Sequence, residues 1–105
     1  MAESNRTYTV VVSPRAAEML LEHVRFAAQV SSQGVDNLRV QIIEAARSLA
    51  QFPERHPWLA DPMLPAHKYR KMVINKRYIL VYQIKDTTVH IDYVTDCRRE
   101  YQWLL

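Results

Sequence analysis

The stretch Lys68–Ile84, KYRKMVINKRYILVYQI, constrains this chain more than any other. Tyr69, Lys71 and Val73 alternate with Arg70, Met72 and Ile74, which predicts a strand with two unlike faces. Tyr78–Ile84 contains a single polar residue, Gln83, so it reads as a strand buried on both faces and central in its sheet. Asn75-Lys76 between the two predicts a tight turn, because Asn tolerates positive φ. Lys68, Arg70, Lys71, Lys76 and Arg77 crowd this hairpin, and no acid occurs between Asp61 and Asp86. A cohesive strand pair carrying uncompensated positive charge is the main clue to function.

At 105 residues the chain is expected to form one domain spanning 1–105, with room for a real core. No apolar run approaches a membrane span, and MAESNRTYTVVV has no apolar h-region, so neither a membrane partner nor a signal peptide is expected. A lone cysteine, Cys97, leaves no internal disulfide and fits a reducing, cytoplasmic setting. The formal charge of +3 permits a polyanion or an acidic protein as partner without demanding either.

Along the chain, Thr7–Val12 is β-branched and predicts a first strand. Ser13-Pro14 is a helix start, with serine as N-cap and proline at the first helical position. Ala17, Leu20, Leu21, Val24 and Ala28 then fall at helical spacing, with Met19, Phe26 and Val30 widening the face. Ser31–Gly34 breaks the pattern, and Gly34 suits a left-handed cap. From about Val35 to Phe52, the residues Leu38, Ile42, Ala45, Leu49 and Phe52 form one apolar stripe. Pro53–His67 holds four prolines and predicts an irregular connection, packed on the surface through Trp58, Leu59 and Leu64. Thr88–Thr95 reads as a last strand, with Val89, Ile91 and Tyr93 on one face and His90, Asp92 and Val94 on the other.

The fold expected is α+β, in the order β-α-α-β-β-β. A helical hairpin packs on one face of an antiparallel sheet, and the other face is left for solvent or a partner.

That order, the helical pair ending in LAQFP, and the closing run YRKMVINKRYILVYQIKDTTVHIDYVTDCRREY resemble the RelE/ParE superfamily of bacterial toxins. The likeness covers roughly Thr7 to Leu105. It is densest at Y-x-L-V-Y-Q-I, Tyr78–Ile84, and at D-x-R-R, Asp96–Arg99. It implies a toxin of a type II toxin–antitoxin system, neutralised by a cognate antitoxin and needing no cofactor. The long helices resemble the ParE branch, which poisons DNA gyrase. The alternatives are a RelE-like ribosome-dependent mRNA endonuclease and an inactive binding module of the same fold.

The nuclease reading implies particular residues. Cleavage through the ribose 2′-hydroxyl needs a base, a cation for the phosphorane and an acid for the leaving oxygen. Carried over position by position, Arg70 and Arg99 match basic residues of the RelE-like pattern. Met72 and Ile79 fall where further cations are expected, on the open face. Arg77 is displaced by two from the central-strand position, and Tyr101 lies near the late tyrosine but off register. His90 and Asp92, two apart on the last strand, could stand in as base and acid, or His90 could be a solvated strand residue. Lys71 alternates with Arg70, so only one of them reaches the open face, and register favours Arg70.

Arg70, Arg77, Arg98 and Arg99 are also the candidates for binding an antitoxin or target, by paired hydrogen bonds to carboxylate or phosphate. The alternative for Arg98 and Arg99 is an exposed terminal turn. His23, His56, His67 and His90 have no metal-ligand spacing, and Gly34, the only glycine, excludes a glycine-rich phosphate loop.

Overall fold

The computed structural model describes residues 7–30, 32–60, 62–74 and 78–96. The elements are β1 (Thr9–Val12), α1 (Pro14–Val30), α2 (Ser32–Ser48), β2 (Arg70–Ile74), β3 (Tyr78–Lys85) and β4 (Thr88–Asp96). The sheet order is β1-β4-β3-β2. β2, β3 and β4 form the expected antiparallel meander. β1 joins at an edge but runs parallel to β4, so the sheet is mixed rather than antiparallel throughout. β1 and β4 are separated in sequence by both helices, the proline-rich segment, β2 and β3, so the pair is not bound to run antiparallel as a direct hairpin is.

β3 is the centre. Tyr78, Ile79, Leu80, Val81 and Tyr82 are all buried, as an apolar run flanked by strands on both sides should be. Tyr78, Leu80 and Tyr82 face the helices, together with Val89, Ile91 and Val94 of β4 and Leu38, Ile42, Ala45 and Leu49 from α2 and its end. The predicted α2 stripe thus holds, except at its last member. Helix α2 stops at Ser48, and Phe52 is exposed. On α1 the buried line is Ala16, with Met19, Leu20 and Val24 packed beside it. Ala17, Leu21 and Phe26 point away instead, because α1 lies against β4 one residue rotated from the expected face. Gly34 lies inside α2, which begins earlier than expected, and caps nothing.

Ser13 shows how local and tertiary demands meet. Its Oγ accepts the Ala16 amide (3.0 Å), capping α1, and donates to the carbonyl of Asp92 (3.2 Å). His23 Nε2 donates to the carbonyl of Val94 (3.1 Å), with its ring edge-on to Tyr78. β1 pairs only as far as Ile91, so both carbonyls lie on a stretch of β4 that has β3 on one side and no strand on the other. Two α1 side chains serve that edge in place of a strand.

Ser13→Ala removes the cap and leaves the Asp92 carbonyl without its donor. The expected loss is about 1–2 kcal/mol in urea unfolding, with an unchanged dependence on denaturant.

Candidate functional site

The sheet face away from the helices is covered in its middle, while Lys71, Val73, Gln83 and His90 on the same side stay partly or largely exposed. Leu59 and Leu64, from the proline-rich strap, pack with Tyr69 over Ile79, Val81 and Tyr93. Leu59 is only 4% exposed. The strap was expected to lie on the surface through Trp58, Leu59 and Leu64, and it does, but the surface it covers is the face expected to stay free. The physical reason is β3: Ile79 and Val81 alternate with Leu80 and Tyr82, so each face of the strand needs an apolar cover.

Strand register moves the basic residues as well. Arg70, Met72 and Ile74 pair with Tyr82, Leu80 and Tyr78, so all three lie on the helix side. Lys71 and Val73 pair with Val81 and Ile79, on the strap side. The expectation that Arg70, and not Lys71, lies on the face away from the helices is therefore reversed. Met72 and Ile79 do not share a face.

Arg70 is instead a clamp. Its Nη1 donates to the carbonyls of Glu54 (3.0 Å) and His56 (2.7 Å), and its guanidinium lies 3.7 Å from the centre of the Trp58 ring. Backbone bonds reinforce it: Leu59 N–H to the Tyr69 carbonyl and Lys71 N–H to the Pro57 carbonyl. The strap is thereby pinned along the outer edge of β2 as a short bridge at Trp58 and Arg70. Tyr82 completes the attachment from beneath, its buried hydroxyl donating to the Pro53 carbonyl (2.6 Å). Burial pushes the Tyr82 hydroxyl up to about 12, although Arg70 and Arg55 oppose the shift. Burial, then Arg55 and Arg70, hold His56 below the ordinary imidazole value.

His90 and Asp92 meet a different obstacle. Val81 and Tyr82 pair with Tyr93 and Ile91, so β4 carries Asp92 as an extra residue, a β-bulge. The bulge resets the alternation: Tyr93 faces the strap and Val94 enters the helix-side core, the reverse of their expected sides. Asp92 Oδ2 accepts a bond from Gln83 Nε2 (2.6 Å), and His90 pairs in register with Gln83. Among the described residues no hydrogen bond joins His90 to Asp92. Arg77, Arg98, Arg99 and Tyr101 lie outside the described residues. Among those described, no three of His, Cys, Asp and Glu are grouped so as to hold a metal, and no helix is long and apolar enough to cross a membrane.

What the structure leaves available lies at the sheet's β2 edge and on the helical pair. Gln41, Glu44 and Ser48 of α2 and Met72, Val73 and Ile74 of β2 border a groove of about 450 Å³. The strap's backbone bonds end at Lys71, so by strand alternation the amide and carbonyl of Val73 face outward beyond it. Leu21 and Phe26 on α1, and Val40 and Ile43 on α2, are large apolar residues about half exposed. A sequence signal for the last two existed: both fall off the Leu38–Ile42–Ala45–Leu49 stripe.

Two substitutions test the clamp. Arg70→Ala should cost about 1–3 kcal/mol and speed hydrogen exchange at the Leu59 and Lys71 amides. Tyr82→Phe strands the Pro53 carbonyl, at a cost of about 1–2 kcal/mol at neutral pH. Because the folded-state value of Tyr82 lies above the free value of 10.0, its contribution is present below pH 10 and lost as pH climbs towards 12. Urea unfolding of Tyr82→Phe across that window should lack the alkaline loss seen in the parent.

The sequence profile of the ParE toxin of the type II toxin–antitoxin system, parDE, matches residues 10–101. No curated protein matches in sequence. Among solved structures, the chromosomal ParDE toxin–antitoxin system from P. aeruginosa contains a chain of similar fold. Its TM-score is 0.71 at 10% identity, covering 88% of this chain and 98% of that one. The toxin–antitoxin complex RelBE2 from Mycobacterium tuberculosis contains another. Its TM-score is 0.65 at 22% identity, covering 92% and 99%.

Proposed function

The chain belongs to the ParE family of toxins from type II toxin–antitoxin systems, and on that premise we propose that it arrests growth by acting on DNA gyrase, not by cutting mRNA on the ribosome. The observation that supports this is the apolar cover over the middle of the far sheet face. A ribonuclease of this superfamily pattern needs cations there to meet a phosphorane. Here that face buries Ile79, Val81 and Tyr93 beneath Leu59 and Leu64. Arg70, the strand arginine that aligned with a nuclease position, is engaged with strap carbonyls and Trp58.

A cognate antitoxin would then neutralise the toxin without using that face. The groove between α2 and β2 suits an extended segment that adds to the sheet edge at Val73, with apolar anchors on Met72 and Ile74. An amphipathic helix of the same partner would cover Val40 and Ile43, and Leu21 and Phe26 beyond them. Arg98 and Arg99 are assigned to carboxylates of the antitoxin or target, as the family resemblance implies.

Induction of the chain alone in a bacterium should slow growth, and co-expression of a neighbouring antitoxin should restore it. DNA breakage with intact mRNA is the expected signature. Cleavage of A-site codons, abolished in His90→Ala or Arg99→Ala, would overturn the gyrase reading. Absence of any arrest would leave a binding module of the same fold. Ile43→Asp should weaken antitoxin rescue by about tenfold or more in antitoxin dose while leaving arrest intact.

A further inference from the structure

Phe52 stands at the corner between α2 and the strap, in a backbone state that does not suit it. Its φ of 52° and ψ of 52° are left-handed. Glycine or asparagine ordinarily takes such a place after a helix, because a bulky residue clashes there. Phe52 also precedes Pro53, whose ring favours extended backbone in the residue before it. Two local preferences are overridden at one position. Burial offers no compensation: the residue is 51% exposed and belongs to neither core cluster.

The surroundings of the ring are cationic. With Arg47, Ser48, Ala50, Gln51 and Arg55 it borders a hollow of about 420 Å³, and no acid lines it. The neighbouring acid, Glu54, accepts the hydroxyl of Tyr8. Arg55 is held in place through Nη1, which donates to the carbonyls of Ser48, Gln51 and Phe52. Among the described residues only that nitrogen of Arg55 is engaged. Arg47, in the last turn of α2, is exposed.

We propose that this corner docks an acidic segment of a partner protein. Its carboxylates pair with Arg47 and Arg55, and an apolar side chain covers the Phe52 ring. Charge complementarity selects an acidic partner. The extent of the charge selects peptide over nucleic acid: the cations flank a single ring, the remaining lining is neutral, and a bound strand needs cations continuing along its backbone. The inference is independent of what the toxin acts on.

The test is fluorescence anisotropy with the full chain and a labelled octapeptide of Asp and Glu around a central Leu-Trp pair. Saturable binding to the parent is expected, weakened by about tenfold or more in Arg47→Glu and in Phe52→Gly. Glycine suits the left-handed backbone, so Phe52→Gly should keep or raise the thermal midpoint while binding falls. A lowered midpoint with unchanged binding would make Phe52 structural only and overturn the proposal. So would failure of the parent to bind, equal binding of the lysine-substituted peptide, or tighter binding of labelled oligouridylate. Growth arrest on induction is scored separately and bears only on the toxin reading.

Discussion

Everything in this fold follows from the need to cover β3 twice. Five consecutive residues, Tyr78–Tyr82, are buried, and their side chains alternate between the two sides of the sheet. The helices cover one side and reach the other only at its margin, through Met19 and Arg15 of α1 beside Tyr93. The opposite side carries Ile79 and Val81, and burying such residues contributes about 1.5–3 kcal/mol each relative to leaving them in water. With both helices committed, the only long segment left among the described residues is the strap between α2 and β2. Its prolines keep it from forming a long helix or strand, so beyond a 3-10 turn at Pro53–Arg55 and the bridge at Trp58 it can lie across the strands. Leu59 and Leu64 are the apolar contacts that make it a cover.

A cover of this kind needs fixing, since irregular segments have few internal bonds. Arg70 and Tyr82 provide it from neighbouring strands at paired register positions. One holds the carbonyls of Glu54 and His56, the other the carbonyl of Pro53. An arginine suits the task because one terminal nitrogen, Nη1, carries two N–H donors that reach both acceptors while the guanidinium face stacks on an aromatic ring. The positive charge that makes the hairpin conspicuous in the sequence is thus partly structural. At Arg70 it organises the chain's own backbone.

Much of the architecture was legible because it rests on periodicity. The meander, the capped start of α1 at Ser13-Pro14 and the stripe Leu38–Ile42–Ala45–Leu49 are written in residue spacing. What spacing cannot convey is which side of a strand faces which layer. Arg70 and Lys71 fit either assignment until β2 is paired with β3. The bulge at Asp92 is invisible for a related reason: VHIDYVT alternates acceptably in one continuous register, and only pairing with Val81 and Tyr82 reveals the extra residue. Phe52 was misassigned because its apolar character continued the α2 stripe, whereas the chain had already turned after Ser48. Leu21 and Phe26 were read as core for the same reason, as apolar type alone does not fix the rotation of a helix about its axis.

The same physics separates the two activities that the superfamily fold supports. A face that stabilises a phosphorane must hold several cations in place before substrate arrives, with their charges hydrated or paired until then. A face that buries Ile79, Val81 and Tyr93 excludes water, and an unpaired cation there would suffer a desolvation penalty of several kcal/mol. The same patch cannot meet both conditions, and the polar residues of this side, Lys71, Gln83, His90 and Asp92, lie around it. A chain of this fold therefore has two options: leave the far side polar and unstrapped, or close it and present its recognition groups around the rim. Here the groove along the β2 edge, the outer apolar residues of the helices and the Phe52 corner all lie beyond the patch that Leu59 and Leu64 cover. On the proposed reading, the covered patch takes no part in chemistry and binding falls to the edges.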